Sequence, residues 1–260
     1  MDNIRNQMIN LFYKIRFYFL GARKPIEYSD CPRDMTTILE YDFSGDLFRL
    51  FNKYYSEGRE ALAGKDRAIP QLSCIRKQNG ILVLSTHVNH NPENKNEFPF
   101  ACGRLSSKGN FEQLYGKFEL VCKIPKSEGL YWPAFWLYSK GWLPEVDVFE
   151  AMKPEYHEET KTVTATFHYL QNGIHKQIGQ RLTGRVDLSK DFHKFGLLWE
   201  KEKMVWYIDD MPINVLRGKS PTEPMHIEIN TAIAGGVTTK ELGNKIGEME
   251  VKSLFIHELL

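Results

Sequence analysis

Thr166-Phe167-His168-Tyr169 runs toward Asn172-Gly173 and returns through Ile174-His175-Lys176. An Asn-Gly pair between two runs of strand-forming residues is a strong hairpin signal, because both turn positions need positive φ and these residues tolerate it. Asp209-Asp210 repeats the pattern between Trp206-Tyr207-Ile208 and Pro212-Ile213-Asn214. Each turn makes its flanking strands antiparallel neighbours. Further out, apolar and polar residues alternate in 81–88, 115–124, 162–168, 192–199, 204–208, 226–233 and 251–257, each run bounded by Gly, Pro, Asn or Asp. No helical period intervenes, so the expected fold is all-β, a sandwich or closed sheet built from antiparallel neighbours. The absence of internal repeats and heptads excludes solenoids and fibrous folds.

Toward the N-terminus the texture differs. Residues 51–70 mix charge with Gly58 and Gly64 without alternation, which reads as a long loop or short helix ahead of the main sheets. Ile4, Met8, Leu11, Phe12, Ile15 and Phe19 recur at helical spacing among Arg5, Lys14, Arg16, Arg23 and Lys24. That pattern predicts a basic amphipathic helix over 1–25, ahead of a single sandwich domain over 26–260. Lys14 and Arg16 interrupt the apolar stretch, which makes it a poor signal-peptide core and too charged to span a bilayer. The compartment is therefore left open.

The formal charge is +1, from 34 Lys and Arg against 33 Asp and Glu, leaving no net field to hold nucleic acid. A neutral ligand fits better. Aromatic residues make up 13% of the chain, enough for a core and for rings that stack on apolar ligand faces. Cys31, Cys74, Cys102 and Cys122 form no C-x-x-C pair, so no zinc ribbon or redox motif is expected, and scattered thiols usually serve as small buried hydrophobes. His87 and His90 fit no helical zinc motif and read as strand-end surface. No cofactor and no metal site is expected, and the chain is expected to be a monomer.

The chemistry concentrates in Gly141-Trp142-Leu143-Pro144-Glu145-Val146-Asp147-Val148-Phe149-Glu150, three acids in an otherwise apolar segment. Alternation along a strand puts Glu145 and Asp147 on one face, while Glu150 has the wrong parity. A β-bulge near Phe149 would return it to their face, and bulges favour active sites. The outer two α-carbons would then stand about 13 Å apart by strand rise, from which two inward-leaning Glu side chains can flank one glycosidic bond. Glu145 is then the nucleophile, Glu150 the acid/base, and Asp147 the group that holds Glu145 and separates the acidities of the outer pair. Taken alone, the spacing fits a solvated strand face or a divalent-ion site equally well.

The flanking blocks extend the pattern. Gly103-Arg104-Leu105-Ser106-Ser107-Lys108, Tyr115-Gly116-Lys117-Phe118-Glu119 and Gly129-Leu130-Tyr131-Trp132-Pro133-Ala134-Phe135-Trp136-Leu137 precede the acids. Phe167-His168-Tyr169, Asp191-Phe192-His193-Lys194-Phe195-Gly196, Trp206-Tyr207-Ile208-Asp209-Asp210 and Ile229-Asn230-Thr231-Ala232-Ile233-Ala234-Gly235-Gly236 follow them. In this order they resemble glycoside hydrolase family 16, in its β-bulge form, from about residue 39 to 256. The resemblance implies a jelly-roll β-sandwich of two antiparallel sheets with a concave substrate cleft. It also implies retaining endo-cleavage of β-linked polysaccharide, with glucan favoured and galactan the other candidate. Trp132, Trp142, His168, Asn230 and Arg104 become candidate sugar contacts, and Trp136 shares the strand parity of Trp132.

Two departures qualify the match. Val121 stands where many members carry Arg, and Lys252 stands where many carry an aspartate that helps hold structural calcium. An ammonium there disfavours a cation. Two alternatives stay open: a transglycosylase using the same acids, and a carbohydrate-binding or phage structural module that lost turnover. The acid row argues against the module, which gains nothing from desolvating three carboxylates.

Overall fold

The structure is a computed structural model that describes residues 35–53, 68–91, 93, 97–126, 129–151, 159–183 and 186–260. The amphipathic segment 1–25 and most of the 51–70 stretch lie outside the described residues. Sixteen strands follow in order: β1 (Met35–Tyr41), β2 (Ala68–Pro70), β3 (Ile75–Gln78), β4 (Ile81–Val88), β5 (Phe100–Cys102), β6 (Arg104–Ser106), β7 (Gly116–Lys123), β8 (Tyr131–Tyr138), β9 (Glu145–Glu150), β10 (Thr162–Gln171), β11 (Ile174–Thr183), β12 (His193–Glu200), β13 (Lys203–Ile208), β14 (Met211–Arg217), β15 (His226–Ile233) and β16 (Gly247–Leu259). Among the described residues one short α-helix, α1 (Thr239–Leu242), interrupts them, capped by Thr238 and Glu241 in a reciprocal box. No helix among the described residues is long and apolar enough to cross a membrane.

The strands form two sheets. The larger runs β14-β13-β12-β7-β16-β4-β5-β2, with β1 beside β16 and β3 beside β4; the smaller runs β11-β10-β9-β8-β15-β6. Pairing is antiparallel except between β2 and β5, which run parallel, a departure from the purely antiparallel expectation. Residues 68–70 are thus an edge strand rather than loop. Both expected hairpins form. Asn172 and Gly173 have φ of 53° and 72°, and Gln171 pairs with Ile174. Asp209 and Asp210 have φ of 49° and 63°, and Asp209 stabilises its own turn by accepting from the Lys194 amide at 3.0 Å.

Alternation assigns one face of each sheet to the shared core, where Phe118, Leu120, Phe195 and Trp206 of the larger sheet meet Phe135, Val146, Phe149 and Ile229 of the smaller. Burial of side chains of this size contributes about 1.5–3 kcal/mol each. The rings of Phe149 and Phe195 bridge the layers at 4.1 Å between centroids. Cys74, Cys102 and Cys122 are buried thiols outside any disulfide, as expected of small hydrophobes. The chain changes sheets at Gly103, between β5 and β6. A Cβ there would lie 2.7 Å from the Cys74 carbonyl oxygen and 2.9 Å from Leu84 Cα, so only glycine lets the crossing lie this close.

Candidate active site

The acids occupy the face of β9 turned away from the core, and a bulge puts the third one there. Opposite β10, Asp147 pairs with Thr166 and Glu150 with Thr164, so Ala165 alone faces both Val148 and Phe149. Opposite β8, Trp136 pairs with Asp147 and Phe135 with Phe149, leaving Val148 as the extra residue. Val148 and Phe149 are consecutive, apolar and both in the core. Two neighbouring side chains turned inward return Glu150 to the parity of Glu145 and Asp147. The bulge also takes the Asp147 carbonyl out of the regular ladder. Its partner comes across the sandwich, where the buried Trp206 indole N–H donates to the Asp147 oxygen at 2.9 Å.

Each outer acid receives one indole hydrogen bond. Trp142 Nε1 donates to Glu145 Oε2 at 2.7 Å, and Trp132 Nε1 donates to Glu150 Oε1 at 3.0 Å. Trp142 is an exposed ring at positive φ, while Trp132 is half-buried. His168 faces the row from β10, with Nε2 3.1 Å from Asp147 Oδ2 and 3.8 Å from Glu145 Oε1. Its Nδ1 lies 2.9 Å from Nε2 of His175 on β11. Glu145, Asp147 and His168 together bring three potential metal-ligand atoms within 4.8 Å of one another.

Among the described residues no lysine or arginine pairs with these acids, and burial therefore dominates their acidities. Burial raises the Glu145 carboxyl to about 7, against the pull of His168 and the Trp142 hydrogen bond. Burial and then the neighbouring Asp147 charge raise Glu150 to about 8. Asp147 is held well above the usual carboxylate range by burial and then by Glu145. The neighbours differ: after burial, the next cause at Glu150 is the Asp147 charge, which raises it, whereas at Glu145 it is His168, which lowers it.

Trp136, on the same face, packs on Tyr138 at 4.9 Å and donates to Asn230 Oδ1 at 2.7 Å. Asn230 is buried beneath that ring, so it positions an aromatic surface. Arg104, on β6, is fully buried. Its Nε donates to Glu228 at 2.7 Å, and its guanidinium lies 5.9 Å from the Trp136 ring centre. An ion pair sealed under the aromatic layer explains that placement. Sequence reading did not find Glu228, His175 or Trp206 as parts of the site. His175 was reachable from the hairpin register, which pairs Leu170 with His175. Trp206 carries no local signal, because its partner lies in the other sheet.

The molecule is a two-sheet β-sandwich whose smaller sheet carries a bulge-aligned acid row among aromatic rings. A family model described as Glycosyl hydrolases family 16 matches residues 71–252, and the chain belongs to that family. The endo-1,3-1,4-beta-glycanase EglC of Rhizobium meliloti is 35% identical over 162 residues, covering 60% of this chain and 33% of that protein. ExsH, an endo-1,3-1,4-beta-glycanase of the same organism, is 33% identical over 170 residues, covering 63% of this chain and 35% of that protein. The chain spans about a third of the length of these curated relatives. In fold it resembles the laminarinase catalytic domain from Thermotoga maritima, with a TM-score of 0.72 and 22% identity over 88% of this chain and 100% of that one.

Proposed function

We propose that the chain is a retaining endo-glucanase that cleaves β-1,3 or mixed-linkage glucan. One observation carries this reading: two half-buried carboxyls on one face of β9, each held by an indole N–H and both raised above the ordinary carboxylate range. Glu145 attacks the anomeric carbon while Glu150 gives its proton to the departing sugar oxygen, forming a glycosyl ester on Glu145. Glu150, now ionised, takes a proton from water as the water oxygen bonds to the anomeric carbon and releases Glu145. The cycle adds one water across the glycosidic bond and restores both acids. Asp147, 3.1 Å from His168, helps hold Glu145 in position, and its charge favours the proton on Glu150. Trp132, Trp136 and Trp142 offer faces on which sugar rings stack. His168 spans the inner acid and the nucleophile and holds the pair in register.

The glucan preference rests on the balanced charge and on the named activities of the two Rhizobium relatives. Laminarin, lichenan, agar and carrageenan are incubated with the full chain, and new reducing ends are counted by oligosaccharide length. Internal cleavage of laminarin or lichenan is expected, together with a product whose anomeric configuration is kept. Glu145→Gln is expected to lower the rate on the order of 10^4-fold or more with the fold unchanged. Cleavage by that variant at the wild-type rate, or an inverted product, would overturn the mechanism.

A further inference from the structure

We propose that Glu145, Asp147 and His168 form a binding site for a divalent transition-metal ion of the zinc type, and that the bound ion blocks the nucleophile. Three acceptor atoms converge there: Glu145 Oε1, Asp147 Oδ2 and His168 Nε2. The imidazole nitrogen stands 3.8 Å and 3.1 Å from the two oxygens. Ligands on a tetrahedral zinc at about 2.0–2.2 Å lie roughly 3.3–3.6 Å apart; the two nitrogen–oxygen separations bracket that value, and all three atoms lie within 4.8 Å of one another, a set that side-chain rotation can close.

Two further observations point to a cation rather than a mere acidic surface. Asp147 is 3% exposed, and its Oδ2 is buried with no donor in hydrogen-bonding geometry, although it is aimed at the gap between the other two ligands. His168 also has a second-shell partner. Its Nδ1 lies 2.9 Å from His175 Nε2, and in the tautomer that donates from Nδ1 the Nε2 lone pair faces the carboxylates, as a metal-ligating histidine requires. A comparable His-carboxylate contact on the larger sheet, His257 with Glu119 at 2.8 Å, has the Lys117 and Lys194 ammonium groups 2.8 Å and 3.6 Å from the same carboxylate. Those charges repel a cation, so among the described residues only the cluster on the smaller sheet has both the ligand set and no ammonium beside it. A metal bound through Glu145 occupies the lone pair that would attack the sugar, and it competes with substrate for the same face.

The binding claim stands apart from the glucanase reading; only the inhibition rests on it. Zinc chloride is titrated calorimetrically into the full, untagged, metal-free chain. One ion per chain is expected, with affinity at least tenfold weaker in His168→Gln and in Asp147→Asn, and unchanged in His257→Gln. Thermal melting establishes that each variant is folded. If both site variants fail to fold, the exposed His175→Ala serves, with a loss of about tenfold expected from its second-shell role. No zinc heat above buffer, or equal affinity in the folded site variants, overturns the site. In the reducing-end assay zinc is expected to act competitively, with an inhibition constant matching the calorimetric Kd. Saturated zinc without inhibition overturns the blocking role. If no polysaccharide is cleaved at all, the glucanase reading fails while the calorimetry still decides the site.

Discussion

Glu119 and Glu150 are both carboxylates set into the outward faces of their sheets, and their acidities move in opposite directions. Around Glu119, burial alone would raise the pKa, but the Lys117 ammonium, then Lys194 and the His257 hydrogen bond, outweigh it and hold the group below its ordinary value. Around Glu150, burial and the Asp147 charge act together, and one imidazole and two neutral donors do not offset them. The difference lies in the neighbours. A buried acid among cations holds strands together, whereas a buried acid among rings and other acids keeps a proton to give.

That contrast breaks most sharply at Glu150. Glu150→Gln is expected to slow glucan cleavage about 10^2- to 10^4-fold, the usual worth of a general acid, and much less for an aryl glycoside whose leaving group needs no proton. Equal losses on both substrates would assign the proton to another group. Next comes pH. Activity is expected to rise as Glu145 ionises through about 7 and to fall as Glu150 loses its proton above about 8, giving a narrow bell between these values. The limbs report the coupled carboxyl set, not single residues. A kcat/KM profile flat from pH 6 to 9 would remove the raised acidities from the mechanism.

At Glu119 the expected effect is on stability alone. Glu119→Gln is expected to cost about 3 kcal/mol at neutral pH, the scale of breaking a buried ion pair, with kcat/KM unchanged. Its folded pKa is lowered, so its contribution is full above the unfolded carboxyl value near 4.5 and fades as pH falls through the folded value. Chemical denaturation at pH 7 and pH 3 checks this: wild type and variant should converge at the lower pH. The smallest effect is expected at Trp206→Phe, which leaves the Asp147 carbonyl without its cross-sandwich donor at about 1–2 kcal/mol. A fall in kcat accompanying that loss would show that the bulge needs this support to hold the row, and an unchanged kcat would show that packing alone suffices.

Much of the site was legible because it is local. The apolar pair Val148-Phe149 before Glu150 and the parity of Glu145 with Asp147 are properties of six consecutive residues, and the bulge follows from them. His168 reaches the row through the pairing of β10 with β9, two strands joined by a long connection, so no turn signal fixed that register in advance. Arg104 and Asn230 were harder. Both lie on the face that carries the acids, yet the aromatic layer above them decides that they support rings instead of meeting solvent.

By itself the sequence determined the all-β class, the two hairpin turns, the family blocks and the identity of the three acids. Each depends on side-chain period or turn chemistry over a few residues. Only the tertiary structure decided that Trp206 of one sheet anchors the bulge of the other, that β2 runs parallel to β5, and that cations surround Glu119 but not Glu150. Those facts depend on which distant strands become neighbours. Alternation tells a strand which face to bury and leaves open what it will meet there.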